Sequence, residues 1–157
     1  MSEKLFITGL TNSFRTHKVL AENAFRQLDH SGLHWHPTKN TNTVAIVIKH
    51  IAGHLKSRFT DFFNSDGERK DRNRNQEIID EEISIVELEQ LWENSWQTVF
   101  YTLDNLYDKD LSKIKILRGD QIIVADYIPR VLTHFTYHTG QIVCISKQYL
   151  KDQWKPL

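Results

Sequence analysis

A chain of 157 residues with 39% hydrophobic and 25% charged side chains has the size and makeup of one globular domain, which excludes global disorder. Twenty basic residues balance twenty acidic ones, leaving no overall field to draw the chain onto nucleic acid or an anionic membrane. The opening MSEKLFITGL lacks the features of a signal peptide, no stretch approaches the roughly 18 apolar residues of a spanning helix, and the single Cys144 cannot close an internal disulfide; a cytoplasmic protein with one domain over 1–157 is expected.

From about Glu3 to Leu28, the residues Leu5, Phe6, Leu10, Phe14, Val19, Leu20, Phe25 and Leu28 recur at helical spacing and predict an amphipathic helix, with Gly32 as its terminator. HWHPTKNTN reads as a loop, because Pro37 disfavours helix at His36, and Asn42 or Thr43 is placed to cap a second helix. That helix runs to about Phe63 with Val44, Val47, Ile48, Ile51, Leu55, Phe59 and Phe62 along one side, and is the most central of the set. NSDGERKDRNRNQE is a polar loop with a turn at Asp66-Gly67.

A third helix, about Ser84 to Leu106, opens on a capping box formed by Ser84 and Glu87 and presents Leu88, Leu91, Trp92, Trp96, Val99 and Leu103. KIKILRGDQIIV departs from the helical period and predicts a short hairpin over 113–123. The last helix starts at Val124 or Ala125 and runs to Leu150, with Pro129 in its first turn or so, where a missing N–H is tolerated. Together these elements predict an all-α, antiparallel four-helix bundle with a short β-hairpin before the last helix.

Two i, i+4 histidine pairs interrupt this pattern: His50 and His54 in KHIAGHL, and His134 and His138 in LTHFTYHTGQI. Residues four apart stack on one helix face, close enough for both rings to reach one ion. Each pair flanks the apolar stripe of its helix, so packing the second helix on the last brings the pairs together. Local hydrogen bonding by unrelated imidazoles is the competing reading. Three imidazole nitrogens and an open position would suit a zinc-like ion.

The strings TVAIVIKHIAGHLKSRFTDFFNSDGERKDRNRN and VLTHFTYHTGQIVCISK resemble the DinB/YfiT-like metalloenzymes, a four-helix-bundle superfamily with one histidine on helix two and a His-x-x-x-His-x-Gly-Gln-Ile run on helix four. The resemblance follows the element order of nearly the whole chain, hairpin included. It implies His50, His134 and His138 as ligands of a divalent ion such as Zn2+ or Ni2+, a homodimer, and a small-molecule substrate handled by thiol S-transfer or hydrolysis, with a low-molecular-weight thiol as co-substrate. Periodicity, by contrast, sets His54 nearer the apolar stripe than His50. His54 is therefore either a neighbour of the site or a fourth ligand that would close it. A non-catalytic metal- or ligand-binding bundle acting in a stress response is the alternative.

Other residues have humbler expected roles. Gly140 inside the last helix suggests close approach of another helix, within the chain or across a dimer interface, and Gln141 is near enough to the histidines to support them. Arg58 points to the apolar side and needs a carboxylate, Asp61 or Glu68. The GERKDRNRN run is a solvated charge cluster or an anion-binding lip beside the site. His34 and His36 belong to a loop pinned by Trp35, Trp92 and Trp96 are core, and Cys144 points away from His138. No general base can be named. There is no His-Glu-x-x-His, Glu-x-x-His, phosphate loop or Gly-x-Ser-x-Gly, which argues against zincin, di-iron, nucleotide and serine-hydrolase chemistry.

Overall fold

The computed structural model describes residues 4–157, so the expected start of the first helix at Glu3 lies outside the described residues. Helix α1, Leu5–Phe25, has no cap from its own N-terminal neighbour. Its first N–H groups are met instead by the Asp108 carboxylate, which accepts from Phe6 and Ile7 at 3.1 Å each. The helix stops at Phe25 rather than Leu28, and Gly32 is not its terminator: Asp29 accepts from the Gly32 N–H at 2.7 Å and starts a second short helix, α2, His30–Leu33. Gly32 has a packing reason, since a Cβ there would stand 2.7 Å from the Tyr149 ring.

Thr43 caps α3, Val44–Phe59, by accepting from the Ile46 N–H. Twelve of its residues are buried, including Ile48, Ile51, Leu55 and Phe59, because it packs against four other helices. It ends four residues before the predicted Phe63, where Thr60 turns extended and Asp61 takes a positive φ of 47°. The polar loop that follows is not wholly irregular. Asn73 caps a single helical turn, α4, Arg74–Glu77, that lies against α3.

Helix α5, Ile85–Asp104, opens on the predicted Ser84/Glu87 capping box and buries Leu88, Trp92, Trp96, Val99 and Leu103, whereas Leu91 is exposed. A 3-10 turn leads into the antiparallel strands β1, Ile114–Leu117, and β2, Asp120–Ile123, joined through Arg118 and Gly119, both at positive φ as a type I′ turn requires. The hairpin is tied down by Lys115, whose ammonium is buried and donates to the Phe62 and Ser65 carbonyls. Helix α6, Val124–Leu150, has the expected bounds and carries Pro129 as its sixth residue, just past the first turn.

Helix α3 packs on α5 and α6, and α1 packs on α6. The core between them is centred on Phe14, Phe59, Trp92, Trp96 and Phe135, with ring centroids 4.8 Å apart for Trp96 and Phe135 and 5.8 Å for Phe14 and Phe59. Edge-to-face contacts of this kind add to the gain from simple burial. Among the described residues, no helix is long and apolar enough to cross a membrane.

Candidate metal centre

The contact of α3 with α6 brings the two histidine pairs together. His50, His134 and His138 each offer one ring nitrogen, and the three nitrogens lie within 4.8 Å of one another. His134 Nε2 is 3.3 Å from His50 Nε2 and 3.2 Å from His138 Nε2. A tetrahedral ion with metal–nitrogen bonds of about 2.0–2.1 Å has ligand–ligand edges of about 3.3–3.4 Å. The two edges at His134 therefore have about the length that such an ion would impose.

Protonation supports the same view. His50 Nδ1–H donates to Glu77 Oε2 at 3.3 Å, and His138 Nδ1–H donates to Gln141 Oε1 at 2.7 Å. With both protons on Nδ1, the Nε2 atoms of His50 and His138 present bare lone pairs towards His134. One Nε2 proton on His134 could satisfy only one of them. A cation among the three nitrogens satisfies all, and Glu77 and Gln141 are the outer partners that such ligands ordinarily have.

Electrostatics keeps the rings ready to bind. Burial, reinforced by the neighbouring His138 and His50, pushes His134 down to about 4. Burial also lowers His138, against the opposing hydrogen bond to Gln141. A neutral imidazole at ordinary pH is the form that binds a metal.

His54 is buried, as its place nearer the apolar stripe predicts, and its ring centroid is 4.2 Å from that of His134. It is not part of the converging set. Burial holds it strongly towards the neutral form, with the charges of His134, Arg58 and Arg72 acting in the same direction.

Glu77 was not legible as a site residue in the sequence, and Arg72 only as one member of the GERKDRNRN run. Arg72 donates from Nε and Nη2 to the two Glu77 oxygens, each at 2.7 Å, so a bidentate guanidinium fixes the carboxylate that holds His50. The unit is seated against α3 at Gly53, where an added Cβ would fall 2.0 Å from Glu77 Oε1. A glycine in the middle of a buried helix was the one trace of this contact in the sequence. Burial raises the Glu77 carboxyl, but the hydrogen bonds from Arg72 and His50 outweigh it and hold the group below its ordinary value.

The remaining candidates fall elsewhere. Arg58 is buried and meets Glu68 at 2.9 Å. Among the described residues nothing stands within 4 Å of a Cβ placed on Gly140, so helix packing between them does not explain it. His34 and His36 share the Asp80 carboxylate at 3.0 Å each, and Trp35 packs on Tyr149, which pins the loop as expected. Cys144 is exposed and its sulfur accepts from Gln148, apart from the histidines.

A family model described as a protein of unknown function, DUF1572, matches residues 2–157. Neither a curated protein nor a solved structure matches the chain.

Proposed function

Because the chain belongs to the DUF1572 family, whose description assigns no activity, we propose a function from the chemistry of its three-histidine site: a divalent-metal-dependent enzyme of the DinB/YfiT-like, four-helix-bundle class that performs thiol S-transfer or hydrolysis on a small molecule. The observation that carries this reading is the pair of Nε2–Nε2 separations, 3.3 and 3.2 Å, from His134 to His50 and His138, the two rings whose outer partners turn their lone pairs inward. His50, His134 and His138 hold the ion, Zn2+ or Ni2+ by donor type. Glu77 and Gln141 set the ring orientations, and Arg72 holds Glu77.

An ion bound there supplies a Lewis-acidic centre that lowers the proton affinity of water or a thiol. Three protein ligands rather than four are what an open, catalytic site needs, and His54 outside the set favours that arrangement. A low-molecular-weight thiol is the proposed co-substrate, and a homodimer the proposed assembly.

Metal analysis of protein purified without a polyhistidine tag tests the first step. A protein that is empty and also ignores added zinc and nickel removes the metal reading. Consumption of bacillithiol-like, mycothiol-like and glutathione-like thiols, compared between the wild type and His138→Ala, tests the second. Equal turnover in both would leave a metal-binding protein without catalysis.

A further inference from the structure

Beside the histidines lies a cavity of about 280 Å³, and five arginines contribute to its wall: Arg58, Arg72, Arg74, Arg118 and Arg130. His50 and His134 form part of the same wall, so whatever fills the cavity also reaches the metal centre. The carboxylates that touch these arginines are fewer. Glu68 serves Arg58, Arg74 and Arg118 together, Glu77 serves Arg72, and Asp126 approaches Arg130 only to 3.8 Å. Two positive charges remain unbalanced around the cavity.

Arg72 is the most telling member. Its side chain is 5% exposed, and Glu77 occupies its Nε and Nη2, yet its Nη1 is buried with no hydrogen-bond partner among the described residues. A buried guanidinium nitrogen without an acceptor is costly, so Arg72 is the arginine whose donors Glu77 leaves incompletely satisfied. Arg118 and Arg74 engage Glu68 through Nε and Nη2 respectively, so each keeps further N–H donors at the half-open rim. Arg130 is mostly exposed, and its charge is the least committed of the five.

We infer that this cavity is the anchor for a compact oxyanion, a phosphate or a carboxylate, carried by a small-molecule ligand whose other end faces His50 and His134. As a substrate anchor the site rests on the three-histidine reading; as an anion site it stands on the arginines alone. The planar fork of arginine matches either oxyanion in a two-point contact. A cleft of about 280 Å³ suits a small molecule.

Calorimetric titration with inorganic phosphate and, separately, with succinate tests this, using the full chain both chelator-treated and zinc-loaded. The expected result is saturable binding of at least one of the two to the chelator-treated wild type, weakened about ten- to hundredfold in the double variant Arg118→Gln/Arg130→Gln. Both side chains are more than half exposed, so the variant keeps its fold, checked by circular dichroism. Preference for phosphate or succinate identifies the source of the oxyanion. Failure of both anions to bind the wild type, or equal binding by a folded double variant, overturns the proposal. Anion binding by a protein that takes up no zinc would instead sink only the metal reading, because the anion arm is measured without metal.

Discussion

Replacing Gly53 by alanine sets two effects of opposite sign against each other. In a helix interior the change alone stabilises by about 1 kcal/mol. Here the new Cβ would stand 2.0 Å from Glu77 Oε1, and ordinary contact begins near 3.4 Å, so the carboxylate must withdraw by about 1.4 Å. The bonds to Arg72 at 2.7 Å and to His50 at 3.3 Å cannot both survive a displacement of that size. Separating a buried guanidinium from its carboxylate costs about 3–5 kcal/mol, which leaves a net loss of about 2–4 kcal/mol. For a chain of this length each kcal/mol moves the melting temperature by about 2–4 °C. Gly53→Ala should therefore melt lower by several degrees. Loss of an outer partner of a histidine ligand should also weaken zinc binding about 10- to 100-fold. Gly9→Ala is the control, because nothing among the described residues lies within 4 Å of its Cβ, and it should melt slightly higher. Calorimetric melting and competition for zinc with a chromophoric chelator read both quantities. If Gly53→Ala gains stability as Gly9→Ala does and keeps full zinc affinity, the Arg72–Glu77–His50 linkage does not support the site.

Gln141→Ala should reduce zinc affinity about 10-fold or more by releasing His138, with little change in the fold, since Gln141 is partly exposed; chelator competition measures it. His134→Ala removes the central nitrogen and should abolish tight zinc and nickel binding, seen as loss of the metal-induced rise in melting temperature. Glu68 gives a pH prediction: burial raises its carboxyl, but hydrogen bonds from Arg118 and Arg58 prevail and lower it from 4.5 to about 2. Its contribution is thus complete above pH 4.5 and disappears as the pH falls through 2. Urea unfolding between pH 5 and pH 2 should show a shallower loss of stability in Glu68→Gln than in the wild type.

Periodicity made the four long helices visible because each buries an apolar stripe against a neighbour, and chemistry marked their starts at Thr43 and Ser84. Their ends were less legible. Helices α2 and α4 are single turns, shorter than any periodic window, and are declared only by the Asp29 and Asn73 caps. The histidines show a different limit. Depth beneath the surface correctly set His54 further in than His50, yet reach towards α6 rather than depth decides which ring joins His134 and His138, and that choice came from the resemblance of the HxxxHxGQI run. Glu77 stands 27 residues from His50, on a segment with no period linking the two, so only folding reveals their contact.

The long crossing between α3 and α5 supplies Glu68, Arg72, Arg74 and Glu77, four of the carboxylate and guanidinium groups around the cavity, but none of the three imidazoles. Part of the cavity wall and the partner of His50 thus lie on a stretch of polypeptide separate from the three ring nitrogens. Rewriting that single crossing would retune which molecule is admitted, and how firmly the ion is held, while the helices and their nitrogens stayed as they are.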